Sequence, residues 1–579
     1  MPGIPKRLSR FWKELRQRRV IRVLVVYVAV GFAVIEFVDI VTEPLSLPSW
    51  ALTLVIVLVS VGLPIVLVLA WAYDITPEGI RKSNANGPAS GEKDLNHLRS
   101  PGDQKNEDLQ DPIRPNPPRE HSIVILPFED MSPEKDNEYF CDGITEEIIN
   151  ALTKIEDLHV VARTSAFAFK GQSTDVREIG RKLGVAKLLE GSVRKSGNQL
   201  RITAQLINIE NGYQLWSERY DRDLSDIFEI QDDISMQIVS KLKISIGAGD
   251  EKVLFRRYTE NLEAFNLYLK GRYFWNRLTE DGLHKSLDFF RQAIQIDKNY
   301  APAYSGISDA YCRLAWYSYS APQEVFPGAK EAAGKALELD DHLPEAYASL
   351  GFVSMCFDRD YEKAMKELKK AIDLNPGFAG AHTYYSICLA ITGLHEESIR
   401  EGKRALNLDP LTPMMYVNLA GRYYYARQYH LCIEHVKQSL ELDPEFEIAH
   451  FYLAYFYNQW EMHTEALAEI QKLIGYFGRK NPAFLSALAI ILASSGNTEA
   501  AEEVIDEIME LSREKYISFF WLATIFVVVG QYDKAFELFE EAYQSHEVLM
   551  IFLNVDPIFD RIKPDQRFQA LIKKMNFIL

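Results

Sequence analysis

The stretch AIDLNPGFAGAH (371–382) returns, with changes, at four other places in the C-terminal half of the chain. The variants are AIQIDKNYAPAY (293–304), ALELDDHLPEAY (336–347), ALNLDPLTPMMY (405–416) and SLELDPEFEIAH (439–450). The matched positions lie 43, 35, 34 and 34 residues apart and are Lys298, Asp341, Pro376, Pro410 and Pro444. A fixed period of this kind is typical of a solenoid in which each repeat is one helix pair. We therefore predict an all-helical array over residues 262–547.

A period of 34 residues with Ala-x-x-Leu-x-Pro at the end of the second helix resembles the tetratricopeptide repeat. Degenerate units follow near 481–508 and 516–542, which gives about eight units. The resemblance implies a superhelix whose concave groove binds a protein or peptide partner. The tail, 548–579, resembles the segment that follows such repeats, and we expect it to cap the last apolar face.

The repeat register predicts which side chains of the first helices face the groove. This lining is aromatic and nearly uncharged, which suits a peptide with apolar anchors, although the same rings could pack inside a tight superhelix. A clamp of Lys, Asn and Arg for a C-terminal carboxylate is not evident. The predicted partner-binding residues are Asp309, Phe352, Tyr424, Tyr425, Phe451, Tyr455 and Asn458.

Residues 121–247 have a different pattern, that of an α+β domain. HSIVILPF (121–128) is typical of a buried strand, and a helix with one apolar face should follow it. Alternation of apolar and polar residues in QLRITAQLINI (199–209) predicts an antiparallel strand, flanked by two others. A second strand (158–162), a helix closed by Gly184 and a final amphipathic helix (223–242) complete the domain.

Eight carboxylates crowd into ILPFEDMSPEKDNEYFCDGITEEI (125–148). They could form a catalytic cluster, a metal site or a helix start. No His accompanies them, no basic residue nearby suits a catalytic partner, and the spacing of an EF-hand loop is missing. We interpret them as a polar loop and a helix N-terminus, which Asp142 or the residues before it would cap.

The motifs ILPFEDMSPEKDNEYFCDGITEEIINAL, VVARTSAFAFKG and LLEGSVRKSGNQLRITAQLINIENGYQLWSERYDRD resemble the TolB-like N-terminal (FlgO-like) module. The resemblance covers about 125 residues and implies binding or assembly rather than catalysis. The stretch FWKELRQRRVIRVLVVYVAVGF…AWAYDITPEGIRK resembles a two-span membrane segment that precedes this module in a group of bacterial proteins. Members of that group often carry a cyclase, kinase or winged-helix domain ahead of it. Only about 20 residues precede the first apolar run here, so we expect no such output domain.

Two apolar runs lie within residues 23–73. ALTLVIVLVSVGLPIVLVLAWAY (51–73) is long enough to cross a bilayer, whereas VLVVYVAVGFAVIEFVDIV (23–41) contains Glu36 and Asp39 near its end. Basic residues precede the first run, in segment 1–22, and follow the second at Arg81 and Lys82. The positive-inside bias then predicts a hairpin with both ends in the cytoplasm. A signal peptide is the rival interpretation of the first run, but the run lacks a small-residue cleavage site and a second apolar run follows it directly. If the first run does not cross, the C-terminal domains are periplasmic.

Composition narrows the remaining possibilities. Residues 74–120 are rich in Gly, Pro, Asn and charge, which predicts a flexible linker. The net charge of −17 argues against nucleic acid as a partner. Five scattered cysteines predict free buried thiols rather than disulfides or a structural zinc site. We found no P-loop, HExxH, GxSxG or kinase motif, so we expect no enzyme activity, cofactor or metal.

These patterns predict a multidomain protein of the bacterial inner membrane. It would have two transmembrane helices, an α+β TolB-like domain and an all-α tetratricopeptide superhelix. Its expected function is a scaffold that captures a protein partner near the membrane. The alternatives are a signalling subunit for a separately encoded cyclase, kinase or transcription regulator, and a degenerate cyclase-like protein. The sequence does not determine the oligomeric state.

Overall fold

The computed structural model of the chain describes residues 73–76, 79–82, 119–244, 257–513 and 517–577. It divides into two compact units, Met1–Pro112 and Ile113–Leu579. In the first unit β1 (Tyr73–Thr76) pairs with β2 (Gly79–Lys82) in antiparallel fashion. This hairpin falls at the end of the second predicted span and the start of the predicted linker. The rest of both predicted spans, and most of that linker, lie outside the described residues.

No helix in the described part of the chain has the length and apolar character that a membrane crossing requires. The second unit contains a mixed sheet followed by a long helical array.

The sheet has strand order β5-β3-β6-β7-β8, and β4 pairs with β6 beside this path. β3 runs parallel to both β5 and β6, whereas β6, β7 and β8 form an antiparallel meander. The N-terminal β region and the antiparallel strands were expected from the alternation of apolar residues. The strands are β3 (Arg119–Ile125), β4 (Glu129–Asp130), β5 (His159–Val160), β6 (Val185–Ser196), β7 (Gln199–Asn208) and β8 (Gln214–Asp223).

Helices cover both faces of this sheet. α1 (Glu138–Leu152) and α4 (Ile227–Leu242) contribute Ile144, Ile148 and Ile234 to the core on one face. α2 (Arg163–Phe167) and α3 (Val176–Leu183) contribute to the smaller core on the other face. α3 ends at Gly184, whose φ of 68° is the left-handed conformation that glycine adopts at helix ends.

The start of α1 differs from the sequence expectation. Its N-cap is Asn137, whose side chain makes no capping hydrogen bond. The backbone carbonyl of Asn137 instead accepts hydrogen bonds from the N–H groups of Phe140 and Cys141. Asp142, which we expected to cap the helix, lies inside it and binds a lysine from another element.

The C-terminal region is a tetratricopeptide-like superhelix, in which consecutive helices form antiparallel pairs. Between residues 262 and 544 the structure describes eight such pairs. Their helices are α5 (Leu262–Trp275), α6 (Glu280–Ile296), α7 (Ala301–Trp316), α8 (Pro322–Leu339), α9 (Pro344–Val353), α10 (Tyr361–Leu374), α11 (Ala379–Ile391), α12 (His395–Leu408), α13 (Pro413–Tyr425), α14 (Tyr429–Leu442), α15 (Glu447–Gln459), α16 (His463–Phe477), α17 (Pro482–Ser494), α18 (Thr498–Leu511), α19 (Phe519–Val528) and α20 (Tyr532–Gln544).

After α20 the chain forms two short 3-10 turns, Val548–Phe552 and Pro557–Ile562, and then α21 (Gln566–Lys574). One hydrophobic core runs without a break from the sheet through the repeats to this tail. Gly143 of α1 shows how closely sheet and array approach each other. A Cβ atom on Gly143 would lie 2.7 Å from a methyl carbon of Leu269 in α5.

Candidate functional site

The seven side chains predicted to line the groove all lie on first helices of the pairs, as the register requires. The structure brings Tyr424, Tyr425 and Tyr455 together near one acidic residue of the tail, Asp556. Phe451 lies beside this cluster, whereas Asp309, Phe352 and Asn458 lie elsewhere. The surface predicted for a partner is, in its C-terminal half, covered by the chain's own tail.

Asp556 is the centre of this contact. Its carboxylate accepts hydrogen bonds from the hydroxyl of Tyr424, at 2.7 Å, and from the hydroxyl of Tyr455, at 3.0 Å. It also accepts the backbone N–H of Ile558 at 3.1 Å. The side chains of Asp556, Tyr424 and Tyr455 are each at most 5% exposed. Burial raises the pKa of Asp556, against the opposing effect of these hydrogen bonds.

Aromatic stacking adds to the contact. The ring of Tyr425 stacks on Phe552, with the centroids 5.2 Å apart and the planes 13° apart. Trp521 packs edge-on against Phe451 and Tyr455, both at 5.7 Å. These ring pairs resemble the anchors we expected for a bound peptide, but the tail provides Phe552 in place of a partner.

Hydrogen bonds to the main chain hold the tail as well. The guanidinium of Arg427 donates to the carbonyl of Val555 at 3.0 Å and to the carboxylate of Asp560 at 3.0 and 3.1 Å. Just before the tail, the carbonyl of Tyr543 in α20 accepts a hydrogen bond of 2.9 Å from Arg359, whose guanidinium also lies over the Tyr543 ring. The ring of Tyr361 stacks on Phe577 at 5.0 Å.

The tail therefore does more than cap the last pair. Phe559 packs against Phe520 and Phe539 of that pair, which is the contact expected of a cap. The same tail also contacts helices as distant as α10 and α13. We did not foresee this, because the contacts join residues more than 100 positions apart.

Two predicted groove residues pack within the array instead. Phe352 is 1% exposed and packs against Tyr384 at 4.8 Å and Trp316 at 5.5 Å. Asn458 donates to the hydroxyl of Ser494 at 3.1 Å and contacts the ring nitrogen Nδ1 of His463 at 3.0 Å. These contacts connect neighbouring repeats, which is the packing role that we considered as the alternative.

Asp309 belongs to a charged cluster at the N-terminal end of the array. Arg272 of α5 lies 4.0 Å from Asp309 and 2.6 Å from Glu146 of α1. Arg313 lies 3.7 Å from Asp309, and Arg163 lies 3.0 Å from Glu146. Burial raises the pKa of Asp309, despite the nearby arginines. Burial acts in the same direction on Glu146, but Arg272 and Arg163 outweigh it and hold the pKa of Glu146 below its usual range.

Trp275 lies among these arginines. The guanidinium of Arg272 is 4.4 Å from the centre of its ring, and that of Arg313 is 5.5 Å away. The indole N–H of Trp275 is buried and has no hydrogen-bond acceptor among the described residues. The arginine side chains at this end remain about a fifth exposed, at 18% for Arg272 and 22% for Arg313.

Three of the eight carboxylates in the acidic stretch that opens the α+β domain, Glu138, Asp142 and Glu146, prove to be ion-paired. Lys170 lies 2.6 Å from Asp142 and 2.7 Å from Glu138. Glu146 has the two arginine partners described above. No basic partner was expected nearby, because Lys170 follows Asp142 by 28 residues and Arg272 follows Glu146 by 126. The cluster is thus a structural network between α1, the segment after α2, and α5.

A second contact joins the α+β domain to the array through Asp409, in the loop after α12. Asp409 accepts hydrogen bonds from the backbone N–H of Ser165 at 3.1 Å and from the hydroxyls of Thr164, Ser165 and Thr412. It is 2% exposed, and burial raises its pKa. The carboxylate of Asp443, at the matched place of the next repeat, accepts the N–H of Glu445 in its own loop at 3.1 Å and no hydrogen bond from the described part of the α+β domain.

Metal and thiol chemistry find little support in the described ranges. The one grouping there with metal-ligand spacing, Asp340, Asp341 and His342, lies in an interrepeat loop and is mostly exposed. The five cysteines are free and buried, as expected. Burial raises the pKa of all five thiols, which makes them poor nucleophiles.

A match to one family model supports the repeat assignment, and similar chains are found among solved structures. A tetratricopeptide-repeat family model matches residues 358–378. Yeast Tom70 aligns over 60% of this chain and 82% of its own, with 16% identity and a TM-score of 0.35.

Two bacterial proteins are similar in sequence. A Rhizobium meliloti protein that bears the provisional name adenylate cyclase 3 is 39% identical over 211 residues, which is 36% of each chain. Transcriptional regulator HilA of Salmonella typhimurium is 23% identical over 298 residues, 51% of this chain and 52% of that protein. This chain therefore spans between about a third and a half of the length of these relatives.

Proposed function

We propose that the protein is a membrane-anchored scaffold that binds a protein partner on the concave face of its tetratricopeptide array. Proteins with such arrays commonly mediate protein–protein interactions. The predicted apolar hairpin would hold the array at the bacterial inner membrane, with the C-terminal domains in the cytoplasm. Anchoring raises the local concentration of whatever the array captures. No bond of the partner would be made or broken.

The cluster of Arg272, Trp275 and Arg313 is the observation that supports a binding site at the N-terminal end of this face. It offers the partly exposed guanidinium groups of Arg272 and Arg313, and between them lies the buried indole N–H of Trp275, which has no acceptor in the described part of the chain. Such donors bind carboxylates through charge-assisted hydrogen bonds. We therefore expect a partner segment with an acidic side chain.

The C-terminal half of the face is a less suitable site, because the tail would have to leave it. Leu553, Ile558 and Phe559 are each at most 2% exposed. Exposing a buried side chain of this size costs about 1.5–3 kcal/mol. Exposing these three side chains alone would cost roughly 5–9 kcal/mol. A partner peptide would have to supply that free energy before any net binding could result.

Site-specific photo-crosslinking in the full chain tests the proposal. A benzophenone amino acid at Tyr317, at the end of α7, should give one protein adduct in the native membrane. Trp275→Phe, which keeps the ring and removes the N–H, and Arg313→Gln should each reduce that adduct at least threefold. The same amino acid at the exposed Lys370 of α10 is the matched control. Equal adducts at both positions, or adducts that the two variants leave unchanged, would contradict the proposal.

A regulatory role in signalling is the second candidate. It is favoured by the names of the two similar bacterial proteins, one given as a cyclase and one as a transcriptional regulator. In that case the captured partner would be a separately encoded cyclase, kinase or transcription regulator. Mass spectrometry of the Tyr317 adduct distinguishes the two roles, because a purely structural partner would carry no such domain.

A further inference from the structure

β8 is an edge strand of the mixed sheet, with β7 on one side and no described strand on the other. Eight of its ten residues are exposed, and only Tyr220 is buried. A long exposed edge presents unpaired backbone N–H and C=O groups, which can pair with another strand. A bulge at Leu215 interrupts the regular pairing with β7, so the regular part of the edge extends from 216 to 223.

The hydrogen-bond pattern shows which backbone groups face outward. The N–H of Leu224 donates to the carbonyl of Asn198 across the β7–β8 pair, at 2.8 Å. Hydrogen-bonded and non-hydrogen-bonded pairs alternate along an antiparallel ladder. The even-numbered residues from 216 to 224 therefore direct their N–H and C=O groups toward β7. The odd-numbered ones direct theirs outward, and these are Ser217, Arg219, Asp221 and Asp223.

The charges along this edge are complementary to those of an identical strand that runs in the opposite direction. From 218 to 222 the strand reads Glu-Arg-Tyr-Asp-Arg. When a second identical strand lies antiparallel with Tyr220 opposite Tyr220, Glu218 faces Arg222 of the second copy. In the same register Arg219 faces Asp221 of the second copy. Opposite charges thus meet at four places, since each pair occurs twice.

We propose that two copies of the chain associate through β8 in this antiparallel register, which joins their sheets into one. The register also satisfies the backbone. Ser217, Arg219, Asp221 and Asp223 have outward-facing groups, and each lies opposite another of the same set. A shift of one residue would place outward-facing groups opposite groups already used in the β7 ladder.

The nearest permitted alternatives are disfavoured by charge. Two registers are equally near, and like charges meet at the centre of each: Arg219 opposite Arg219 in one, and Asp221 opposite Asp221 in the other. Space for the favoured register exists on the helical face of the sheet. Arg222 borders an open cleft of about 440 Å³ between β8 and α4, which leaves room for a side chain of the second copy. Four carboxylates, Asp226, Glu229, Asp232 and Asp233, also line this cleft, and Arg222 is the cation on its strand side.

A charge exchange tests the proposal on the full chain in detergent, with sedimentation equilibrium as the measurement. Glu218→Arg or Arg222→Glu alone places like charges opposite each other, and each should raise the dissociation constant of the dimer at least tenfold. The double variant restores opposite charges and should return the constant to within about threefold of the original. Both residues are exposed, and their neighbours on β7, Ala204 and Leu200, are uncharged, so folding should not change. Far-ultraviolet circular dichroism checks this.

Disulfide formation tests the register. Glu218→Cys together with Arg222→Cys should give a rapid covalent dimer under mild oxidation, because those two positions form a close non-hydrogen-bonded pair. Arg219→Cys alone should link at least tenfold more slowly, and faster linking would show the register with Arg219 opposite Arg219. The native thiols are buried, so they add little background. Two results would overturn the proposal. One is a protein that stays monomeric at all concentrations, as it would if the strand of another protein covered β8. The other is a double charge variant that does not recover the original dissociation constant.

Discussion

The hydroxyl of Tyr424 donates a hydrogen bond of 2.7 Å to the carboxylate of Asp556, 132 residues further along the chain. Both residues are buried, so their polar atoms rely on partners within the protein. This pair, with Tyr455, fixes the tail across the concave face.

Replacement of Asp556 should therefore loosen the tail. Asp556→Ala leaves two buried hydroxyl groups and the Ile558 N–H without their acceptor, and we expect a loss of about 2–4 kcal/mol in the free energy of unfolding. Urea denaturation, followed by circular dichroism, measures this. Asp560→Ala, which removes an exposed partner of Arg427, is the matched control and should cost under about 1 kcal/mol. Similar losses in the two variants would contradict the central role of Asp556.

Asp409 should matter more than Asp443, its counterpart in the next repeat. Asp409→Ala removes the acceptor for Thr164 and Ser165 of the α+β domain, and we expect a cost of about 2–3 kcal/mol in unfolding free energy. Asp443→Ala, at the matched loop position, loses a hydrogen bond within its own loop and should cost about 1 kcal/mol. Hydrogen exchange of α2 should rise in the first variant alone. If α2 stays equally protected in both, Asp409 does not hold the domain in place.

The close approach of Gly377 to α1 should not tolerate a methyl group. A Cβ at this position would lie 2.8 Å from the Thr153 Cβ and 2.9 Å from its carbonyl oxygen. Gly377→Ala should therefore shift the loop away from α1 and cost about 1–3 kcal/mol, seen as a lower midpoint of thermal unfolding.

Gly421→Ala is the control for this substitution. A Cβ at Gly421, inside α13, would meet nothing within 4 Å. Alanine should there be neutral or stabilising by up to about 1 kcal/mol. Equal midpoints for the two variants would show that the loop adapts without cost.

Stability should depend on the ionisation of Glu147, which lies beside Glu146. Burial and, next, the charge of Glu146 raise the pKa of Glu147 from 4.5 to about 7. The folded protein thus binds this proton more tightly than the unfolded chain does. The stability that the group contributes is fully present below pH 4.5 and is lost as the pH rises through about 7.

Glu147→Gln should remove that dependence. Because the side chain is half-buried, we keep the expected effect small. The advantage of the variant over the original protein in unfolding free energy should grow by roughly 1–2 kcal/mol from pH 5 to pH 8. Urea denaturation at both pH values measures the difference. Glu156→Gln, at an exposed position near the end of the same helix, controls for the loss of a negative charge. A variant whose advantage is equal at both pH values would rule out titration of Glu147.

The sequence predicted the helical array and the antiparallel strands because both follow from local periodicity. The 34-residue spacing placed the helix pairs, and the register correctly assigned Tyr424 and Tyr455 to first helices. It could not indicate that Asp556 would bind them, because nothing local links the tail to α13. The same limit applies to Lys170 and Asp142, whose ion pair joins separate elements. Short-range patterns determine elements, whereas pairing over long distances depends on how the whole chain packs.

The apolar core shared by the α+β domain and the first repeat also limits how the protein can be cut. A fragment that begins at residue 257 would expose the surface of Leu269 that lies against Gly143, and would leave Arg272 without Glu146. A fragment that stops before residue 257 would expose the same surface from the other side. Fusing either part alone to another protein would thus require a compensating redesign of α1 or α5. The shortest fragment expected to keep its fold begins near residue 119.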